Sequence, residues 1–303
     1  ASKGTDWQVN MNEYETNASW SSMDAALDAA GDYHICAHRG GVGLVYVTNA
    51  SGAWVETSID AGAAQIGANC RIRTDPNGKL HVVYWDAINS VYRYASDISG
   101  AWVLDVPDSK TASYGTAQMS VRADGRVDIV YPSSSFRHAT NGAGSWAVQT
   151  VDPAPNSGRW PSVTRDAQGA LHSVYLVPDS GSSDQGKLYY ANTTSGAWTV
   201  ELLDGAGNIR VSRTSIAMDA DGKVHMTYTR SEHSYYATDK FGKWSIVQLG
   251  QSYSPWIQGM DRANDLAVTA DGAVHFIAQH GWGSKYYGRY IYGNGVDDNC
   301  DGE

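Results

Sequence analysis

An all-β chain is predicted by three features of this 303-residue sequence. Apolar and polar residues alternate over short runs rich in aromatic and β-branched types, with Asp, Gly and Lys at the breaks, the pattern of antiparallel strands joined by hairpins. A marker glycine recurs six times, at Gly31, Gly78, Gly125, Gly169, Gly222 and Gly272, three residues ahead of His34, His81, Asp128, His172, His225 and His275. Five of the six units then end in Gly-x-Trp, at Trp54, Trp102, Trp146, Trp198 and Trp244. Self-similarity at this spacing decides architecture before any local reading does. Six four-stranded units describe a six-bladed β-propeller.

The stretch 215–250 shows the unit most clearly. It predicts strands over 215–218, 225–229, 234–238 and 243–249, with a tight turn over 219–222. The sixth unit stops after a third strand, 285–290, with no Trp to follow. Gly4-Thr5-Asp6-Trp7-Gln8-Val9-Asn10 matches Gly196-Ala197-Trp198-Thr199-Val200-Glu201, so the N-terminus is expected to supply the outer strand of blade 6 and close the ring. A linear solenoid has no use for a strand moved to the far terminus. The repeat runs unbroken, so residues 1–293 read as one domain and 294–303 as an acidic tail.

Composition narrows the partners. The net charge is −10 and no basic run is present, which argues against nucleic acid. No apolar stretch approaches the roughly 20 residues that a membrane helix needs. Trp (11) and Tyr (19) far outnumber Phe (3), so many rings carry a polar tip that can face water or a ligand. A start at Ala1 without Met or a hydrophobic leader is what a mature secreted protein shows, as does a trimmed chain. Cys36 and Cys70 fall in neighbouring blades, where a disulfide and two buried thiols are both open readings.

In the tail, Asp297, Asn299 and Asp301 alternate ahead of Gly302, as in the first half of a calcium loop, which makes Ca²⁺ the expected metal; no organic cofactor is expected. The tail is similar to the DxDNDCDG-type metal-binding repeats of extracellular proteins from myxobacteria and related bacteria. The blades, with Gly-x-x-His-x-x-Tyr, then Tyr-Tyr-Ala-Thr, then Gly-x-Trp, resemble a repeat of bacterial secreted and surface propellers of mostly unassigned function. These resemblances imply an extracellular or cell-surface protein, and the tail resemblance is compatible with one part of a longer one. They specify a fold and no chemistry. The sialidase aspartate box, the FG-GAP repeat and the WD40 pairing are absent, and the blade motifs are unlike those of the fucose-binding six-bladed lectins.

The repeated histidines follow the turn between strands one and two, where a buried hydrogen bond is the ordinary use. In blade 3, Asp128 and His138 replace the usual His and Tyr and read as a compensated pair. Seven residues before each marker glycine stand Asp24, Arg71, Gln118, Ser162, Ser215 and Asp265, which alternation turns toward the central channel. The second-strand Tyr of blades 2 to 5 is Ala37 in blade 1 and Ala278 in blade 6, a pairing that predicts a space near the seam. His38, Arg39, Gln279, His280 and Trp282 follow directly, and Trp20, Trp85, Arg159, Trp160, Arg210, Arg213, Arg230, His233, Asp261 and Arg262 are expected in loops on the same face.

Three functions fit. A binding propeller would recognise carbohydrate, acidic glycans included, through Arg71, Trp282, Arg213, Arg39 and Trp160. A polysaccharide-degrading enzyme would use Asp24 and Asp265 as an acid and base pair, or His38 or His280 as a lyase base while Arg71 neutralises a uronate. A metal site would draw on Asp24, Asp265, His38 and His280.

Overall fold

The computed structural model describes residues 20–290 except 62–64, 111, 113–114, 180–184, 211–213, 231–232, 250–263, 270–271 and 281–283; at 20–21, 206–210, 233, 264, 277–280 and 284–290 it describes the backbone alone. The strands form six antiparallel sheets, each in chain order. Blade 1 holds β1 (Trp20–Leu27), β2 (Tyr33–Arg39), β3 (Gly43–Thr48) and β4 (Val55–Asp60). Blade 2 holds β5 (Ile66–Thr74), β6 (Leu80–Asp86), β7 (Val91–Ser96) and β8 (Val103–Asp105). Blade 3 holds β9 (Gln118–Val121), β10 (Val127–Pro132), β11 (Phe136–Thr140) and β12 (Ala147–Asp152). Blade 4 holds β13 (Arg159–Arg165), β14 (Leu171–Pro178), β15 (Gln185–Asn192) and β16 (Thr199–Arg210). Blade 5 holds β17 (Thr214–Met218), β18 (Val224–Arg230), β19 (His233–Thr238) and β20 (Ser245–Leu249), and blade 6 holds β21 (Asn264–Val268), β22 (Val274–His280) and β23 (Ser284–Tyr290). The inner strands β1, β5, β9, β13, β17 and β21 touch in succession, which is the six-bladed β-propeller that the repeat predicts. The segment 4–10, assigned by its sequence to the fourth strand of blade 6, lies outside the described residues, as does the tail.

The inner hairpins of blades 1, 2, 4 and 5 are built by one residue set. The marker glycines all have positive φ, from 74° to 92°, a backbone that L side chains rarely adopt, so the turn needs Gly there. In blade 2 the Gly78 amide donates to the Asp75 carbonyl, and Asp75 Oδ1 accepts from the amides of Asn77 and Lys79. The second carboxylate oxygen faces a histidine. His Nε2 lies 3.4, 3.8, 3.2 and 3.1 Å from Asp Oδ2 in the pairs His34–Asp28, His81–Asp75, His172–Asp166 and His225–Asp219. On its other side each imidazole meets a third-strand tyrosine, with Nδ1 at 2.5–2.6 Å from the hydroxyls of Tyr46, Tyr94, Tyr190 and Tyr236. These histidines therefore fill a buried polar row, as their place after the turn suggests.

Blade 3 carries the same row with its charges inverted. Asp128 replaces the histidine and accepts from His138 Nε2 at 2.8 Å, while Arg122 replaces the turn aspartate and donates at 3.0 Å. Arg165 of blade 4 adds a third donor to Asp128. Burial alone would raise the Asp128 pKa, but His138, Arg122 and Arg165 outweigh it and hold the carboxyl well below the usual range. The Asp128–His138 pair is as the sequence suggests; the two arginines complete it.

The rows also join the blades. In blades 2 to 5 the Gly-x-Trp ring meets the third-strand ring of the blade before it, edge to face, in the pairs Tyr46–Trp102, Tyr94–Trp146, His138–Trp198 and Tyr190–Trp244. A second tie lies deeper. The second-strand tyrosines Tyr84, Tyr131, Tyr175 and Tyr228 each donate at 2.8 Å to an aspartate of the preceding blade, Asp60, Asp108, Asp152 and Asp204. Each of these aspartates stands six residues after a Gly-x-Trp ring, and the counterpart after Trp244 is Gly250. Blade 6, with Ala278, thus lacks both halves of the tie to blade 5.

Losing one half of such a contact strands the other in a buried interface. Urea denaturation of Tyr175→Phe should show a loss of about 1–3 kcal/mol, the cost of an unsatisfied buried acceptor. Asp128→Asn should cost more, about 3–5 kcal/mol, because two guanidinium groups and an imidazole lose their anion.

Stability should fall away from neutrality on both sides. Burial pushes His81 and His225 below the usual imidazole range, so below about pH 6.5 the unfolded chain takes up protons that the native chain refuses. Burial raises Tyr84, Tyr94, Tyr131, Tyr175, Tyr190 and Tyr228, Tyr94 to about 12. Their contribution is complete below about pH 10 and is lost as pH rises through the native values. A thermal scan across pH should show Tm level from about 7 to 10 and falling on either side.

Candidate functional site

The inner strands enclose a cavity of about 650 Å³, open to solvent and lined by residues of all six blades. Asp24, Arg71, Gln118, Ser162, Ser215 and Asp265, one per blade, all line it. They occupy the same place in each repeat, and the twofold side-chain alternation of the strand delivers them to the channel.

One step closer to the mouth, nine residues before each marker glycine, stand Ser22, Asn69, Thr116 and Trp160, which also line the cavity. Strand pairing slips at this level in β1, β5 and β13. Asn69 and Trp160 take the left-handed conformation there, with φ of 54° and 49°. Asn tolerates that region, whereas for a bulky Trp it is strained, at a cost of order 1–3 kcal/mol. The surrounding contacts hold it: the Trp160 carbonyl accepts from Thr214 Oγ1 of blade 5 at 2.7 Å, and the indole packs on the core shared by blades 4 and 5. Its Nε1–H is buried and has no hydrogen-bond partner among the described residues.

Polar contacts stitch the wall from blade to blade. The Asn69 amide donates to Ser22 Oγ at 2.9 Å, and Asn69 Nδ2 donates to the Gly115 carbonyl at 2.7 Å. Ser215 Oγ donates to Asp265 Oδ1 at 2.8 Å. Asp24 Oδ2 accepts from the Ile72 amide at 3.0 Å and from Arg73 Nη1 at 2.8 Å, an ion pair within the cavity. Arg71 Nη1 donates to the Cys70 carbonyl at 2.8 Å.

The other expected residues are distributed differently. His38 pairs with Ser22 in the hairpin, two residues nearer the mouth than Asp24, which pairs with Cys36, so the two are not level. His38 is not among the residues lining the cavity. Arg39 forms an ion pair with Glu56 of its own blade. His280 pairs with Ser284 across the blade 6 hairpin, and only its backbone is described. Trp282, Arg213, Asp261, Arg262, Asp297, Asn299 and Asp301 lie outside the described residues.

Several expectations need correction: Trp20, Arg159, Trp160, Arg210, Arg230 and His233, expected in loops, lie in β1, β13, β13, β16, β18 and β19. Ala37 is buried, at 1% exposure, and the opposite side of the seam, the Ala278 side chain and residues 1–19, lies outside what is described. In blades 2 to 5 the tyrosine at its place belongs to a buried inter-blade tie. Trp85 lies in β6 at 4% exposure, edge to face with Tyr92, and is core where a mouth loop was expected. Arg230 pairs with Asp204 and lies over the Tyr235 ring, which is again an inter-blade role. Cys36 and Cys70 are free buried thiols of one core, and burial, then Cys70 itself, pushes the Cys36 thiol up. Among the described residues no three of His, Cys, Asp and Glu gather as a metal site would need, and no helix is long and apolar enough to cross a membrane.

A six-bladed propeller with a polar central cavity is therefore the class that fold and site define. No protein-family profile matches the chain, and no curated protein matches its sequence. Solved structures do. The chain is similar to AofleA from Arthrobotrys oligospora, with TM-score 0.60 and 13% identity over 93% of this chain and 85% of that one. It is similar to the Aleuria aurantia lectin, described as a six-bladed β-propeller with a novel fucose recognition mode, with TM-score 0.58 and 13% identity over 93% and 95% of the two chains. An α-L-arabinofuranosidase from Fusarium graminearum, solved with an iminosugar inhibitor, gives TM-score 0.56 and 12% identity over 87% and 90%. At these identities the likeness is one of fold.

The Asp24–Arg73 pair also spans blades 1 and 2. Arg73→Ala should lower Tm by a few degrees, since it removes a half-exposed ion pair, the class of contact that contributes roughly 0–1 kcal/mol. A drop far larger than that would mean that the pair holds the wall of the cavity in place.

Proposed function

We propose that this propeller binds carbohydrate in its central cavity. The observation that carries the reading is the cavity itself: about 650 Å³, with hydrogen-bonding groups from every blade converging on one space and an indole in its wall. That volume is in the range of small-ligand sites. Serine, glutamine and aspartate side chains supply acceptors and donors for sugar hydroxyls, and an aromatic face suits the apolar face of a sugar ring. Lectins complexed with fucosides and sugar-processing enzymes among proteins of the same fold support the reading. An extracellular or cell-surface setting, implied by the repeat and tail resemblances, fits such a role.

A second reading rests on Asp24 and Asp265, two carboxylates in one cavity, which is the minimum that glycoside hydrolysis needs. The two readings separate on turnover. Incubation with a polysaccharide panel should leave chain lengths unchanged for a binding protein, whereas release of oligosaccharides that Asp265→Asn abolishes would establish hydrolysis.

The binding reading is tested with a glycan array followed by titration of the glycans retained. Ser162→Trp fills the channel from blade 4, and it should remove binding with Tm within a few degrees of the parent. Binding that survives Ser162→Trp would put the site elsewhere, and an array without any retained glycan would end the proposal.

A further inference from the structure

We infer that the ligand of the central cavity carries a carboxylate, and that Arg71 is the group that receives it. The inference rests on the carbohydrate reading above and narrows it to acidic saccharides such as uronates. It comes from accounting for each charge in the wall. Among the described residues, the charged groups that line the cavity are two aspartates, Asp24 and Asp265, and two arginines, Arg71 and Arg73. Arg73 is committed to Asp24 at 2.8 Å and to the Ile72 carbonyl at 2.6 Å. Asp265 Oδ1 takes the Ser215 hydroxyl at 2.8 Å and the Leu266 amide at 3.0 Å.

Arg71 differs from the other three. Its one hydrogen bond among the described residues goes to the neighbouring Cys70 carbonyl, and no described carboxylate lies within ion-pair distance. A guanidinium has five N–H donors in a rigid fork and stays charged at any working pH. Most of that donor set is left for whatever enters the cavity. The ring position next to it, on blade 3, is Gln118, which adds an amide on the same side.

The chemistry selects a planar monoanion. The guanidinium fork matches a carboxylate in two parallel hydrogen bonds. A phosphate monoester would bring close to two charges into a ring that already holds two aspartates, so its repulsion is greater. A sulfate ester carries one charge spread over three weakly basic oxygens, so each accepts a hydrogen bond less strongly than a carboxylate oxygen does. Across the ring from blade 2, Ser215 and Asp265 on blades 5 and 6 offer acceptors for hydroxyls. An acidic sugar fits that polarity, with its carboxylate toward blades 2 and 3 and its hydroxyls toward blades 5 and 6.

The test is isothermal titration of the full chain with oligogalacturonate, oligoglucuronate and oligomannuronate, each beside its methyl ester, together with neutral oligogalactose and a sulfated galactan oligosaccharide. At least one carboxylate oligomer should bind ten-fold or more tighter than its ester. Arg71→Gln should erase that difference while leaving Tm unchanged, and Arg71→Lys, which keeps the charge without the fork, should restore part of it. Equal affinity for acid and ester overturns the inference, as does preference for the sulfated oligosaccharide or an acid preference that persists in Arg71→Gln. If Arg71→Gln fails to fold, the acid and ester comparison in the parent and the partial loss in Arg71→Lys decide the matter. Binding of neutral oligosaccharide alone, lost in Ser162→Trp, defeats the carboxylate and leaves the carbohydrate reading standing. Absence of binding by every saccharide defeats both.

Discussion

The ring depends on the contact by which one blade holds the next. A four-stranded sheet cannot bury both of its faces alone, and here blades 1 to 5 are held each to the next through two fixed points. One is a tyrosine hydroxyl on the aspartate that ends the preceding blade, as in Tyr175 to Asp152; the other is a Trp edge on a third-strand ring, as in Tyr190 and Trp244. The tyrosines are fully buried, so their hydroxyls must find a partner or forfeit the solvation they left behind. The aspartates meet that need, and arginines such as Arg93 and Arg137 balance the charge. Polar groups in the interfaces set the angle and register of one blade on another more sharply than apolar packing alone can.

The cavity is a by-product of that arrangement. Once six inner strands stand in a ring, one residue in each repeat must face the axis, and that position is excused from packing. It is free to vary, and it does, reading Asp24, Arg71, Gln118, Ser162, Ser215 and Asp265, while the next position along is Ala25, Ile72, Met119, Val163, Ile216 and Leu266, apolar in every blade. Pairing slips at the mouth carry the wall from strand geometry to loop geometry, and they are where Asn69 and Trp160 leave the usual backbone region. Scaffold and site are thus separated by position within one repeat.

Much of this was legible in the sequence because it is repeated. Six marker glycines fixed the blade count, and simple alternation from them found the ring that lines the cavity. The exchange of His and Tyr for Asp128 and His138 was visible as a pair, since both departures fall in one repeat. Arg165 could not be found that way: it reaches Asp128 from another blade, and no spacing within a unit records it. The missing tyrosine at Ala37 points to space when one repeat is read alone, because the aspartates that meet such tyrosines in other blades, Asp60, Asp108, Asp152 and Asp204, sit in the preceding unit. Comparing the residue six after each Trp would have shown the tie, Asp60, Asp108, Asp152 and Asp204, and its absence at Gly250. Long-range partners are invisible to a pattern read one repeat at a time.

The central claim is that ligand recognition belongs to the inner strands and the scaffold contacts to the rest of each blade. Hydrogen exchange with and without the acidic oligosaccharide bound most tightly addresses it directly. Added protection is predicted at the amides of 69–73, 116–119, 160–163, 214–216 and 265–266, with the outer strands β4, β8, β12, β16 and β20 unchanged. Protection confined to the outer strands, or to the clefts between blades, would contradict the account.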